Sequence, residues 1–216
     1  NAAISLLWKG RDGGSFYIRP LVESFEVKNV TDRFVNFLPV NATLFNKQTY
    51  LGSEVNYSFK NKNDIAYPTM GLDVGITAGY KSEIDGGNGD NNFGYIKPHL
   101  SINHKLNKSA SLVLATKVGG EAILGNDFEI YHSAQLGGVE DLRGFRKERF
   151  AGKYSIFQST DLRLKIGNFN SGIIPMKYGL TGGFDYGRVW IEDDISDKWH
   201  NSVGGSIWIS GMETFT

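Results

Sequence analysis

From Met70 to Lys81 the sequence alternates without a break. Met70, Leu72, Val74, Ile76, Ala78 and Tyr80 fall on one parity, and Gly71, Asp73, Gly75, Thr77, Gly79 and Lys81 on the other. Successive side chains of an extended strand point to opposite faces, so this pattern specifies a strand with one apolar face and one polar or small face. Its length exceeds the ~5–6 residues usual in soluble strands and matches the ~9–11 that cross a bilayer at a tilt. A long strand with one oily face needs either a second sheet packed against it or lipid.

The same reading predicts nine strands, at residues 4–9, 15–27, 50–60, 70–81, 93–104, 110–120, 154–166, 177–190 and 202–210, and an all-β fold. Glycine-rich and polar pieces separate them, short turns alternating with longer loops as on the two sides of an outer-membrane barrel. With Gly at 27 residues and aromatics at 13%, the composition is neither disordered nor suited to long helices. No apolar run approaches the ~20 residues of a membrane helix, which leaves a β-barrel open because its apolar surface lies in alternate residues. The competing architecture is a soluble sandwich or lipocalin-like barrel. Bacterial single-chain barrels use even strand numbers, so nine strands are expected to be part of a larger barrel.

Several chemistries drop out. Lys+Arg and Asp+Glu both number 23, which gives no electrostatic footprint for nucleic acid, and Cys is absent, which removes disulfides, thiolate zinc sites and cysteine nucleophiles. His99, His104, His132 and His200 have no metal-ligand spacing and read as structural or surface residues. The segment Gly86-Gly87-Asn88-Gly89-Asp90 resembles a single calcium-binding glycine-aspartate unit, but a hairpin loop explains it. Asn41-Ala42-Thr43 and Asn107-Lys108-Ser109 match the glycosylation triplet, a match common by chance. No phosphate loop, Ser/His/Asp arrangement or fixed carboxylate pair is visible, so the chain is expected to need no cofactor and to be no enzyme. The exception to this plainness is the long connection at residues 122–153, where Leu136-Gly137-Gly138-Val139-Glu140-Asp141-Leu142-Arg143-Gly144-Phe145 is more apolar and more glycine-tuned than a solvated loop.

On these residues the chain resembles the BamA/TamA/FhaC superfamily of outer-membrane barrels, the bacterial surface antigens. Gly137-Gly138 followed by Leu142-Arg143-Gly144-Phe145 is similar to the family's Gly-Gly and Arg-Gly-aromatic loop. Phe150-Ala151-Gly152, Asp161-Leu162-Arg163 and Phe184-Asp185-Tyr186-Gly187 follow in the family's order, and Tyr67-Pro68-Thr69-Met70-Gly71 resembles an upstream strand entry. Two positions depart from the pattern: Asp161 stands where Glu is commoner, and Met70 where Arg is usual.

The resemblance implies an antiparallel transmembrane β-barrel of about sixteen strands in the bacterial outer membrane. Residues 1–216 would then form one partial barrel domain, with about five strands before and two after, and residues 122–153 would fold back into the lumen. It also implies a role in inserting or translocating outer-membrane proteins. The implied partners are outer-membrane lipids, lipopolysaccharide, unfolded client proteins and assembly subunits. The alternative is a barrel that anchors a fused metallophosphoesterase or lipase.

A buried guanidinium needs acceptors. If Leu180, Phe184 and Tyr186 face lipid, alternation turns Asp185 inward. If Leu162, Leu164 and Ile166 face lipid, it turns Asp161, Arg163 and Lys165 inward. Arg143 with Asp185 is therefore the first expected pair, and Asp161 the second acceptor.

Overall fold

The structure, a computed structural model, describes residues 1–28, 45–64, 67–85, 91–125, 127–170, 172, 175–191 and 197–211. Its strands are β1 (Ala2–Ala3), β2 (Leu6–Lys9), β3 (Gly14–Phe25), β4 (Gln48–Lys62), β5 (Gly71–Asp85), β6 (Asn92–Lys105), β7 (Leu112–Leu124), β8 (Ala134–Leu136), β9 (Phe150–Gly152), β10 (Tyr154–Asn170), β11 (Pro175–Trp190) and β12 (His200–Gly211). All but β8 and β9 form one antiparallel sheet in chain order. Both β1 and β2 pair with β3, through Ala2↔Val22 and Leu6↔Ile18, so together they are one interrupted strand and the wall has nine crossings. It is a portion of a barrel.

The registers carry one parity from strand to strand. Arg19 pairs with Glu54, Glu54 with Gly79, Gly79 with Tyr95 and Tyr95 with Ile123, which sets a row of residues on the inner face. The Tyr95 ring lies over Gly79, where a Cβ would stand 2.4 Å from it. From there its hydroxyl donates to Glu54 Oε2 at 2.8 Å, while Tyr17 donates to Oε1 at 2.6 Å and Arg19 pairs with the same oxygen at 3.4 Å. Lys81–Glu23 at 2.6 Å and Lys97–Glu121 at 2.8 Å continue the charge-paired lining. Tyr95→Phe deletes one bond to a carboxylate that keeps two other partners. The expected cost is about 1.5 kcal/mol in urea unfolding of the folded barrel, and an unchanged midpoint would contradict the assignment.

The outer face is the reverse. Leu72, Val74, Ile76 and Tyr80 are 36–54% exposed, and Val55, Leu100, Leu114, Leu162, Leu164, Leu180 and Phe184 are also exposed. An apolar band this continuous on every strand is the surface of a wall solvated by lipid.

The strands run further than the sequence pattern predicts, most clearly β10, which continues to Asn170 instead of ending at 166. A bulge between Lys165 and Gly167 absorbs one residue there and hides the alternation. The strand expected from Ala110 starts instead at Leu112, because Ala110 has φ 53° and the Asn107 carboxamide accepts the Ser111 and Leu112 N–H groups, closing a turn. Pro98 sits within β6, and the β6–β7 ladder lacks the rungs at 97 and 98 while its register continues, because Pro98 has no N–H to offer β7.

The strand ends joined by the 4- to 8-residue connections β2–β3, β4–β5, β6–β7 and β10–β11 lie at one end of the wall, and those joined by the mostly longer connections β3–β4, β5–β6, β7–β10 and β11–β12 at the other. Barrels of this kind keep short turns on the periplasmic side and long loops outside, which orients the wall. The long connection begins at residue 125 rather than 122, since β7 extends to Leu124, and it contains a 3-10 turn (Ile130–His132) and the β8–β9 ribbon, neither of which the sequence pattern suggested. The segment Gly86–Asp90 and the triplet at Asn41 lie outside the described residues.

Candidate functional site in the lumen

The long loop is built by its own backbone before it touches the wall. The β8–β9 ribbon pairs Ala134↔Gly152 through Leu136↔Phe150 and leads into Gly137 (φ 123°) and Gly138 (φ 113°). An L side chain rarely adopts that conformation, and at Gly137 a Cβ would also stand 2.3 Å from the Arg146 carbonyl oxygen. Asp141 fixes the turn, its Oδ1 accepting the Gly137 N–H at 2.7 Å and its own neighbour Leu142's N–H at 2.5 Å. Leu142 is fully buried, and the Phe145 N–H donates to its carbonyl at 3.0 Å, so the chain turns back just where Arg143 projects.

Arg143 reaches the inner face of β10 and β11. Its Nη2 donates to Asp185 Oδ1 at 2.5 Å, its Nε to Oδ1 and Oδ2 at 3.0 and 3.1 Å, and its backbone N–H to Oδ2 at 2.9 Å. Its Nη1 donates to Asp161 Oδ1 at 2.7 Å. Ser159 and Ser202 donate to the remaining sides of Asp185 at 2.8 and 3.0 Å. Asp185 is therefore saturated with donors, and its side chain is 3% exposed, against 35% for Arg143. The bonds to Asp185 push the Arg143 pKa above its ordinary value, so its charge is permanent.

The remaining motif residues frame this contact. The Gly144 N–H donates to Ser202 Oγ at 3.2 Å, and a Cβ on Gly144 would stand 2.5 Å from Ser202 Cβ. Phe145 meets Phe150 edge-on at 5.0 Å, and Phe150 stacks on His200 at 3.7 Å. Arg163 stands 3.5 Å from Asp161 and orients that carboxylate from the side. Gly183 leaves the floor bare, since a Cβ there would lie 2.7 Å from Arg143 Nη2.

Four contributors were not singled out from the sequence: Asp141, Ser159, Gly183 and Ser202. Register pairs Asp185 with Ser159 on one side and Ser202 on the other, so the signal was available only once neighbouring strands were aligned. Of the histidines, His132 is buried on the loop, His99 stands 3.3 Å from Asp73, and His200 stacks on Phe150. Among the described residues no group of three metal-ligating side chains converges. The site is an ion-pair clamp, with two serine hydroxyls donating to the carboxylate that holds the arginine.

The sequence model of the Omp85 superfamily domain matches residues 22–214. No curated protein matches the chain significantly. Among solved structures, the fold is similar to the crystal structure of BamA from Haemophilus ducreyi lacking POTRA domains 1–3, at a TM-score of 0.73 and 16% identity, over 99% of this chain and 50% of that one. The chain thus spans half the length of that crystallised chain, and at this identity the likeness concerns the fold.

Proposed function

The chain belongs to the Omp85 superfamily, a barrel of the bacterial outer membrane, and from that premise we propose that it serves the insertion or translocation of other outer-membrane proteins. The observation that carries this reading is the clamped loop. A wall whose inner face holds the chain's own loop through Arg143, Asp185 and Asp161 commits part of its lumen to protein, which favours work done on polypeptides over free passage of solutes. The wall lowers the barrier to strand addition; no bond chemistry is involved, in keeping with the non-enzymatic nature of barrels of this type. Its partners under this proposal are unfolded β-barrel clients, assembly subunits, outer-membrane lipids and lipopolysaccharide.

The test is reconstitution of the full-length natural protein in liposomes with a denatured client barrel, following client protection from protease. Insertion several-fold faster than in empty liposomes is the expected result. Equal rates, with phosphatase or lipase activity in the full-length protein, would instead make this barrel an enzyme's anchor.

A further inference from the structure

We propose that His132 is a pH-operated latch on the lumen loop: proton uptake by its ring releases the outer part of the loop, residues 127–136, while the Arg143 end stays pinned.

His132 closes the 3-10 turn of the loop and is 7% exposed. Its ring is caged by Phe25 of β3 at 5.0 Å, Tyr50 of β4 at 4.6 Å, Phe93 of β6 at 4.7 Å and Tyr131 beside it at 4.6 Å. Neither ring nitrogen has a hydrogen-bond partner among the described residues. A leucine or phenylalanine would fill this cage without desolvating two polar atoms, so the imidazole carries a cost that its packing does not require.

The charged surroundings decide which form the cage accepts. Lys81 of β5 and Lys97 of β6 both act against a positive ring. Glu23 of β3 has Oε2 at 4.0 Å from Nε2, but that oxygen is held by Lys81 at 2.6 Å. Glu121 of β7 is likewise held by Lys97. Glu83 of β5, 4% exposed with neither carboxylate oxygen hydrogen-bonded among the described residues, and Glu129 of the loop act on the adjoining Tyr131. Among the described residues no carboxylate comes nearer to a ring nitrogen than the 4.0 Å of Glu23. Burial, with the two lysines, lowers the His132 pKa from 6.5 to about 3.

The sign follows from linkage. Above pH ~6.5 the ring is neutral whether docked or released, and the loop stays down. Below it the released ring takes a proton that the docked ring refuses, so the released population rises roughly tenfold per pH unit as pH falls through the window between the two values. The other attachment does not follow, because Arg143 keeps its charge throughout. The loop lies at the long-loop, outward end of the barrel, where it meets the pH of the medium.

The experiment is hydrogen exchange of the full-length protein in liposomes, corrected for intrinsic rates, at pH 7.5 and pH 5. Exchange in residues 127–136 is expected to rise about thirtyfold at the lower pH, with residues 137–145 unchanged. His132→Phe and His132→Gln should both abolish the rise, and Glu83→Gln should leave it. No rise in the wild type, an equal rise in either His132 variant, or its loss in Glu83→Gln would overturn the latch. If the phenylalanine variant fails to fold, the glutamine variant and the wild-type profile decide.

Discussion

Asp185→Asn lowers the unfolding free energy by about 3 kcal/mol and frees the loop to proteolysis in folded protein. Removing one partner of a buried pair costs ~3–5 kcal/mol, and the water that reaches Arg143 trims that figure. The geometry adds a second penalty. Asp185 receives donors from Arg143, Ser159 and Ser202, so a carboxamide must point its own N–H groups at one of them. Arg143→Lys is no conservative alternative, because an ammonium has its donors on one atom and lacks the planar fork that lets Nε and Nη2 meet Asp185 while Nη1 reaches Asp161. The decisive measurement is a charge swap. Arg143→Asp combined with Asp185→Arg should recover part of what either change loses, and a double variant no more stable than the worse single one would show that the pair does not hold the loop.

Gly137→Ala is expected to cost about 3 kcal/mol, more than most single changes to an exposed loop. Its φ of 123° is strained for alanine, and the new methyl meets a backbone carbonyl, which cannot rotate away. The loss should appear as an increased rate of loop cleavage, with the strand ladder intact by circular dichroism. Gly183→Ala is the instructive contrast. Its methyl meets the far end of Arg143, a flexible group, so the guanidinium shifts and the loss is smaller. A Gly137→Ala variant as stable as wild type would mean that the turn is not needed in this form.

Which features the sequence disclosed follows from the range of the forces behind them. Period-two alternation is local, and it placed the wall strands and the inward direction of Asp161 and Asp185 because each face has a single solvent. Where the period is disturbed, as at the β10 bulge, the reading stopped short. Motif residues from Gly137 to Phe145 were visible through unusual glycine placement and a family likeness. Ser159, Ser202 and Gly183 were not, since a serine or glycine on a lumen face is ordinary until register sets it against Asp185. The 3-10 turn and the β8–β9 ribbon were hidden for another reason: three-residue elements have no periodicity to detect, and the cage around His132 is assembled from three strands, β3, β4 and β6, that lie far from the loop in sequence.

Every hairpin of the wall joins neighbours in sequence, apart from the β7–β10 pair, which closes across the long loop. Strands can therefore be added one after another, each at little loop-closure cost. The clamp interrupts that simple order. Arg143 precedes β10, but its principal acceptor arrives on β11 and one of the supporting hydroxyls on β12. The clamp is therefore complete only once both of those strands have joined the wall. Docking of Arg143 thus acts as a marker in time: a chain that has added β11 and β12 with its loop outside carries an empty clamp, with the Asp185 carboxylate lacking its guanidinium until the loop comes in.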